Sequence, residues 1–352
     1  MRSKAAWLQK WGAVMPDAGI RAGILGLGTY VPEKILTNEE LEKMVDTSDQ
    51  WIVSRTGIRE RRLAGPGQAT SDLALEAAGR ALADAGLEPG EIDLIIVSTN
   101  TPDSLFPAAA CIVQDRLGAV NAGAFDLLAG CTGFLYGLSV AQGFVVSGMY
   151  KKVLVIGAET LSRIVDWEDR NTCVLFGDGA GAAVVGPVSG GYGLIHTRLG
   201  ADGSGGQHLC VPAGGSRIPA SRETVEQRLH YARMNGREVF KFAVRACGDG
   251  SLEALAAAGL TVKDVDFLIP HQANIRIIEA AAKRLELPME KVLVNVDRFG
   301  NTSTASIPMA LEEAYSQGRI KDGDNILMAA FGAGLTWAVA IMRWHDYRRK
   351  NR

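Results

Sequence analysis

The sequence has few cysteines, and none at metal-binding spacing. Five in 352 residues, an odd number with no CxxC pair, argue against a disulfide framework or a zinc site. They fit a reducing cytoplasm. No apolar run is long enough to span a bilayer. A secretory signal is also missing: Trp7, Leu8, Trp11, Ala13 and Val14 are interleaved with Lys10 and Asp17, so there is no continuous apolar segment. Residues 1–20 therefore read as a loose, poorly ordered extension, and Met15 could be the true start. Charge of one sign is lacking too. The net charge is −2, so no global field recruits nucleic acid. What is there, 47% hydrophobic and 22% charged, is the composition of a soluble globular protein. The length suits two domain-sized units sharing a large core.

The most informative stretch is 124–137. Residues 124–128 form a short apolar run that reads as a buried strand. Ala129 and Gly130 break it. From Cys131 onward, Phe134, Leu135, Leu138, Ala141 and Val145 recur at helical spacing. Cys131 is thus placed in the first turn of a helix, where free N–H groups and the helix dipole favour a thiolate. Gly130 and Gly133 leave room for a substrate to approach the sulfur. A small buried core cysteine fits this stretch equally well.

Around it, strands are predicted at 22–27, 92–98, 153–158, 192–199, 265–270, 326–331 and 336–344. Helices are predicted at 71–85, ended by Gly86, from Pro107 to about Gly118, and at 221–233, 237–257 and 275–285. Residues 37–40 and 47–50 read as capping boxes. The second leads into Trp51 and Arg55, four apart on one helix face. That pair suits stacking on a flat ring and gripping phosphate, or simply a solvated basic turn with one packing Trp. The glycine-rich run 176–186 precedes a strand pattern, so it reads as a tight turn and not a phosphate loop. Residues 159–170 read as a polar loop and 348–352 as a solvated basic tail. A repeat recurs at one offset: a helix ends at Gly86-Leu87 and again at Gly259-Leu260, and a strand with Asp93 or Asp266 follows. It predicts an α/β fold of two similar halves, 21–190 and 191–352, with the site at their junction.

Cys131, His271 and Asn301 each follow a strand or sit in a turn beside glycine or proline, where scaffolds place reactive groups. Such a set also permits a protease-like reading, with histidine as base to the thiol. The segments 51–59 (Trp-Ile-Val-Ser-Arg-Thr-Gly-Ile-Arg), 129–134, 176–181, 270–274 (Pro-His-Gln-Ala-Asn) and 300–303 resemble those of β-ketoacyl-acyl-carrier-protein synthase III, the initiating condensing enzyme of bacterial fatty-acid synthesis. The resemblance runs from about Ala22 to Trp344.

The resemblance implies a thiolase-like fold, with mixed sheets packed between helices in αβαβα layers. It implies a decarboxylative condensation of a short acyl-CoA with malonyl-acyl carrier protein, through an acyl-Cys131 intermediate. No cofactor or metal is expected, acyl-CoA being a substrate. His271 and Asn301 would bind the malonyl thioester carbonyl and stabilise its enolate. The N–H groups of Cys131 and Ala333 would hold the tetrahedral oxyanion. Ala333 stands where the family often has Gly, which matters little to a backbone role. Trp51 would stack on the CoA adenine, with Thr47, Arg55 and Arg170 nearby. Gly236, Phe240, Asn274 and Phe331 would line the pantetheine channel. Phe106 would cross a homodimer interface to close the partner's acyl pocket. Carrier-protein docking would use Lys241, Gln272, Ala273, Arg276 and Lys283, a basic rim steering an acidic partner. A cytoplasmic enzyme follows, with no nucleic acid or membrane partner. Among rivals, a degradative thiolase needs a second cysteine in the turn 331–335, which has none. A hydroxymethylglutaryl-CoA-type synthase needs a catalytic glutamate, for which Glu159 is slender support. A chalcone-synthase-type polyketide enzyme shares Cys, His and Asn, but the Trp51 motif favours the fatty-acid initiator. An acyl-transfer enzyme or a non-condensing acyl-binding scaffold is the remaining alternative.

Overall fold

The computed structural model describes residues 19–348. The extension expected over 1–20 lies outside the described residues except for its last two positions, and so does the basic tail beyond Arg348. Arg348 itself is not simply solvated: its Nε donates to Asp84 at 2.7 Å, and its guanidinium lies 4.5 Å from the Tyr315 ring centre.

The first sheet comprises β1 (Arg21–Tyr30), β2 (Leu94–Ser98), β3 (Gly123–Leu127), β4 (Val153–Glu159) and β5 (Gly179–Val188), in the order β1-β5-β4-β2-β3. The second comprises β6 (Gly193–Ala201), β7 (Phe267–Pro270), β8 (Asn325–Gly332) and β9 (Thr336–Arg343), in the order β6-β9-β8-β7. A parallel bridge from Leu268 to Val292 stands where a fifth strand would continue it. Strand directions agree between the sheets. β1 and β6 pair antiparallel to β5 and β9, and β2 and β7 pair parallel to β4 and β8.

The repeat has a physical basis. Asp93 donates its N–H to the Lys152 carbonyl and accepts the Lys152 N–H, each at 2.9 Å. Asp266 does the same with Asn325, at 3.0 and 2.9 Å. In each half the aspartate ties the chain entering one strand to the start of its parallel neighbour. Gly86 and Gly259 both close their helices with positive φ, 65° and 70°.

Two helices lie between the sheets: α4 (Gly133–Val146) and α7 (Ser306–Ser316). Every apolar position predicted for the first, Phe134, Leu135, Leu138, Ala141 and Val145, is buried. With Ile307 and Leu311 they join both sheets into one core. The outer layers are α2 (Thr70–Ala85) and α3 (Ala109–Leu117) on one side, and α5 (Gly236–Ala257) and α6 (Ile275–Arg284) on the other. α2 crosses β1 at backbone contact, since a Cβ on Gly28 would lie 2.3 Å from the Ala77 carbonyl oxygen. That packing accounts for the glycines at 26 and 28.

Five local expectations are corrected. The strand expected to be buried at 124–128 is β3, an edge strand with Phe125 and Leu128 exposed. Ser48, not Thr47, caps α1 (Asp49–Thr56), its hydroxyl accepting the Trp51 N–H. Pro107 lies outside α3, whose first two N–H groups are held by the Asp126 carboxylate at 2.8 Å each. That cap comes from a neighbouring strand, so no local pattern announced it. The helix expected over 221–233 is confined to Arg222–Glu226, with a short strand at Arg233–Met234. Glu159 ends β4 fully buried instead of opening a polar loop.

Candidate active site

Cys131 sits in a 3-10 turn, Gly130–Thr132, immediately ahead of α4. This turn is pressed against the end of β8. A Cβ on Gly332 would lie 2.4 Å from the Cys131 nitrogen, and one on Gly130 2.7 Å from the Ala333 nitrogen. Gly130 also has φ of 61°. Only glycine permits this approach, and the approach brings the N–H groups of Cys131 and Ala333 near enough to the sulfur to favour its thiolate. Yet the thiol is not a resting thiolate. Burial pushes its pKa up to about 12, outweighing the Ser303 hydroxyl and those two N–H groups. The helix-start argument looked to the helix's own N–H groups, whereas Ala333 N–H comes from beyond the end of β8 and desolvation outweighs all the donors.

His271 follows β7 and is 1% exposed. Its Nδ1 lies 2.7 Å from the Ser306 hydroxyl at the start of α7. That hydroxyl oxygen accepts the Gln272 N–H at 3.3 Å, and its own proton is free to be donated to Nδ1. In the tautomer where it does so Nε2 carries the ring proton, and Nε2 is buried with no partner among the described residues. Burial drives the His271 pKa down to about 3, so the ring is neutral near pH 7. Asn301 is fixed by its backbone, its N–H on Leu175 O at 2.8 Å and its carbonyl accepting Gly177 N–H at 3.0 Å. Its Oδ1 accepts the Ser303 N–H at 2.8 Å, which leaves the amide nitrogen for a ligand. Ser303 and Ser306 are the residues that sequence reasoning missed. Their signal was present in the Ser/Thr-rich run 302–306.

Cys131, His271 and Asn301 share one cavity of about 280 Å³. Trp51, Gly236, Phe240, Asn274 and Phe331 line the same cavity. Asn274 also donates to the Arg55 carbonyl at 3.0 Å, tying α6 to α1. Arg170 stacks over Trp51 at 5.4 Å and donates to the Asp46 carbonyl at 2.8 Å. The Thr47 hydroxyl is buried without a partner among the described residues. Phe106 does not line this cavity and is 86% exposed, and its neighbour in sequence Leu105 is exposed as well.

The expected docking residues divide. Arg276 and Lys283 are exposed on α6, and Lys241 on α5 is paired with Glu238 at 2.7 Å. Gln272 does not belong with them. It is 1% exposed, and its side chain binds Pro270 O, Leu293 O and Asn295 N–H inside the protein. Ala273 is buried against the cavity, not on the rim. Among the described residues no cluster of His, Cys, Asp or Glu could hold a metal, and no helix is long and apolar enough to cross a membrane.

Two like α/β halves, meeting over a cavity that holds a cysteine, a neutral histidine and an asparagine, define the class: a thiolase-like acyltransferase. The comparisons with known proteins narrow it. Residues 125–203 match the family described as 3-oxoacyl-[acyl-carrier-protein] synthase III, and residues 255–344 match its C-terminal part. The chain is 65% identical to the beta-ketoacyl-[acyl-carrier-protein] synthase III of Caldanaerobacter subterraneus subsp. tengcongensis, over 92% of this chain and 98% of that one. It superposes on the synthase III structure from Thermus thermophilus with a TM-score of 0.85 at 53% identity, covering 92% and 99% of the two chains. The Aquifex aeolicus synthase III gives 0.85 at 49% identity, covering 92% and 100%. The chain belongs to the β-ketoacyl-acyl-carrier-protein synthase III family.

Proposed function

We propose that Cys131 is the nucleophile of this condensing enzyme and that His271 and Asn301 drive the decarboxylation. The enzyme performs the first condensation of fatty-acid synthesis, joining a short acyl-CoA primer to malonyl-acyl carrier protein. Cys131 sulfur attacks the acyl-CoA carbonyl and CoA leaves. Malonyl thioester then enters with its carbonyl against Nε2–H of His271 and the amide of Asn301. CO2 departs, and the two donors carry the enolate charge in a water-poor site, where such hydrogen bonds count most. The carbanion attacks the acyl carbonyl, whose oxyanion rests on the N–H groups of Cys131 and Ala333, and the 3-oxoacyl product leaves. The observation that carries this reading is the partnerless, buried Nε2 of a neutral histidine beside the thiol. A ring held neutral down to about pH 3 is a donor, and it is poorly suited to store the thiol proton as a protease-type base.

The same reading places CoA along Trp51, with Thr47, Arg55 and Arg170 at its head. The carrier protein docks near Arg276, Lys283 and Lys241. The division between the halves falls at 190/191. The protein acts in the cytoplasm as a homodimer without a bound cofactor, acyl-CoA serving as substrate. β3 is an edge strand, with Val120 just before it and Leu128 just after it exposed, and Phe106 is exposed too. An unpaired strand edge beside apolar side chains favours pairing with a second copy.

The test separates the half-reactions. His271→Ala and Asn301→Ala should accept acyl from acyl-CoA onto Cys131, seen as a mass increase. Each should lose malonyl decarboxylation by about 10²–10³, the usual effect of one oxyanion donor. An His271→Ala protein that cannot be acylated would restore the general-base reading.

A further inference from the structure

Two threonines behind the site join the turn that carries Cys131 to the turn that carries Ala333. Thr132 directly follows Cys131 and is 0% exposed. Thr336 opens β9 and pairs with Gly332 across the Ala333 turn. Neither threonine lines the catalytic cavity. The Thr336 hydroxyl lies 2.8 Å from the Ala129 carbonyl oxygen on one turn and 3.0 Å from the Ala333 carbonyl oxygen on the other. The Thr132 hydroxyl lies 2.6 Å from the same Ala129 oxygen and 3.1 Å from Thr336 Oγ1. Each hydroxyl has one proton to donate. The pair therefore serves the two carbonyls and Thr336 Oγ1 as one connected set of hydrogen bonds.

The turns need such a connection. A Cβ on Gly130 would lie 2.6 Å from the Ala333 oxygen and 2.7 Å from its nitrogen. Glycine allows that approach but does not hold it, because its backbone has more freedom than that of any other residue. An oxyanion hole acts through donors fixed before the reaction, so that none has to reorient as charge develops. A hydroxyl within hydrogen-bond reach of a carbonyl on each turn fixes one turn against the other. The donors assigned to the enolate are braced separately. His271 is held by Ser306, and the Asn301 side chain by the Ser303 N–H.

We propose that Thr336 and Thr132 are positioning residues that hold the N–H groups of Cys131 and Ala333 at the spacing an acyl oxyanion requires. They serve the steps that pass through a tetrahedral intermediate on Cys131, which are its acylation and the condensation. They do not serve the decarboxylation. Thr336 reaches both turns directly and has the larger effect, while Thr132 supports it from the Cys131 side.

This rests on the reading of Cys131 as the acylated nucleophile, and the test keeps the two apart. Thr336→Val and Thr132→Val keep the branched shape and remove the hydroxyl, whereas Thr336→Ser keeps the hydroxyl. Acetyl transfer from acetyl-CoA to Cys131 is followed by rapid quench and mass spectrometry. Decarboxylation is followed as CO2 released from malonyl carrier protein without a primer. Thr336→Val should acylate about tenfold slower, a smaller loss than the about 10²–10³ of removing an oxyanion donor outright. Its KM for acetyl-CoA and its CO2 release should be those of wild type. Thr132→Val should show a smaller loss confined to the same step, and Thr336→Ser should match wild type. Wild-type acylation by Thr336→Val, equal slowing of acylation and CO2 release, or a Thr336→Ser as slow as Thr336→Val would overturn the proposal and leave the threonines as packing residues. Should Thr336→Val fail to fold, Thr132→Val is judged by the same split between the two half-reactions. A wild-type Cys131 that takes no acetyl group would overturn the nucleophile assignment, and the positioning role with it.

Discussion

At the scale of the residue, the chemistry of His271 is set by Ser306. The serine hydroxyl accepts the Gln272 N–H and lies 2.7 Å from Nδ1, and when it donates there the ring hydrogen sits on Nε2. Ser306→Ala should leave acylation of Cys131 unchanged and slow malonyl decarboxylation by less than the about 10²–10³ of removing the donor itself. Stopped-flow rates for the two half-reactions decide this, and equal losses in both would make Ser306 a packing residue only. The buried ring also has a consequence for stability. Its native pKa of about 3 lies below the ordinary 6.5, so between those values the unfolded chain binds a proton that the native protein does not. The contribution is complete above pH 6.5 and is lost as pH falls toward 3. His271→Gln should therefore flatten the decline of urea-unfolding stability between pH 6.5 and 4 relative to wild type, and an unchanged slope would assign that decline to other groups.

At the scale of the element, α5 and α6 lie side by side at the cavity rim and present their charges differently. Arg276 and Lys283 are exposed on α6, whereas Lys241 on α5 is neutralised by Glu238 at 2.7 Å. Charge reversal at Arg276 or Lys283 should raise KM for the carrier-protein substrate more than for acyl-CoA. Reversal at Lys241 should have the smaller effect on carrier binding, because its charge is already paired. The differences should shrink with salt, since exposed charges more than about 10 Å apart are screened at 0.1 M. Steady-state rates at low and high salt check this. Effects that are equal for both substrates would assign these residues to CoA binding instead.

At the scale of the whole molecule, one chain leaves the apolar face around Phe106 uncovered. Phe106 is 86% exposed, and Leu128, which directly follows the edge strand β3, is 78% exposed. If the proposed dimer closes across that edge, a bulky Phe106 at the floor of the partner's pocket would restrict the primer to about two to five carbons, because each methylene that fits gains about 0.8 kcal/mol and each that does not meets a clash. Phe106→Thr should shift kcat/KM from acetyl- and butyryl-CoA toward octanoyl- and lauroyl-CoA while sedimentation still finds a dimer. An unchanged ranking in a dimeric variant would remove Phe106 from the pocket.

The sequence by itself determined what short-range pattern can carry. The period of 134–145 gave α4, Gly86 and Gly259 gave two helix ends, and the recurrence of Asp93 as Asp266 gave the two like halves. Turns beside glycine and proline marked Cys131, His271 and Asn301, and the motifs around them carried the family. Tertiary structure decided whatever depends on partners distant in the chain. Asp126 caps α3 from another strand, and Gln272 points inward because Leu293 and Asn295 offer it partners there. The charge state of the site was hidden for the same reason. A helix start favours a thiolate, but desolvation by the surrounding fold keeps Cys131 a thiol and His271 neutral. Burial is a property of everything packed around a group, and no stretch of sequence contains it.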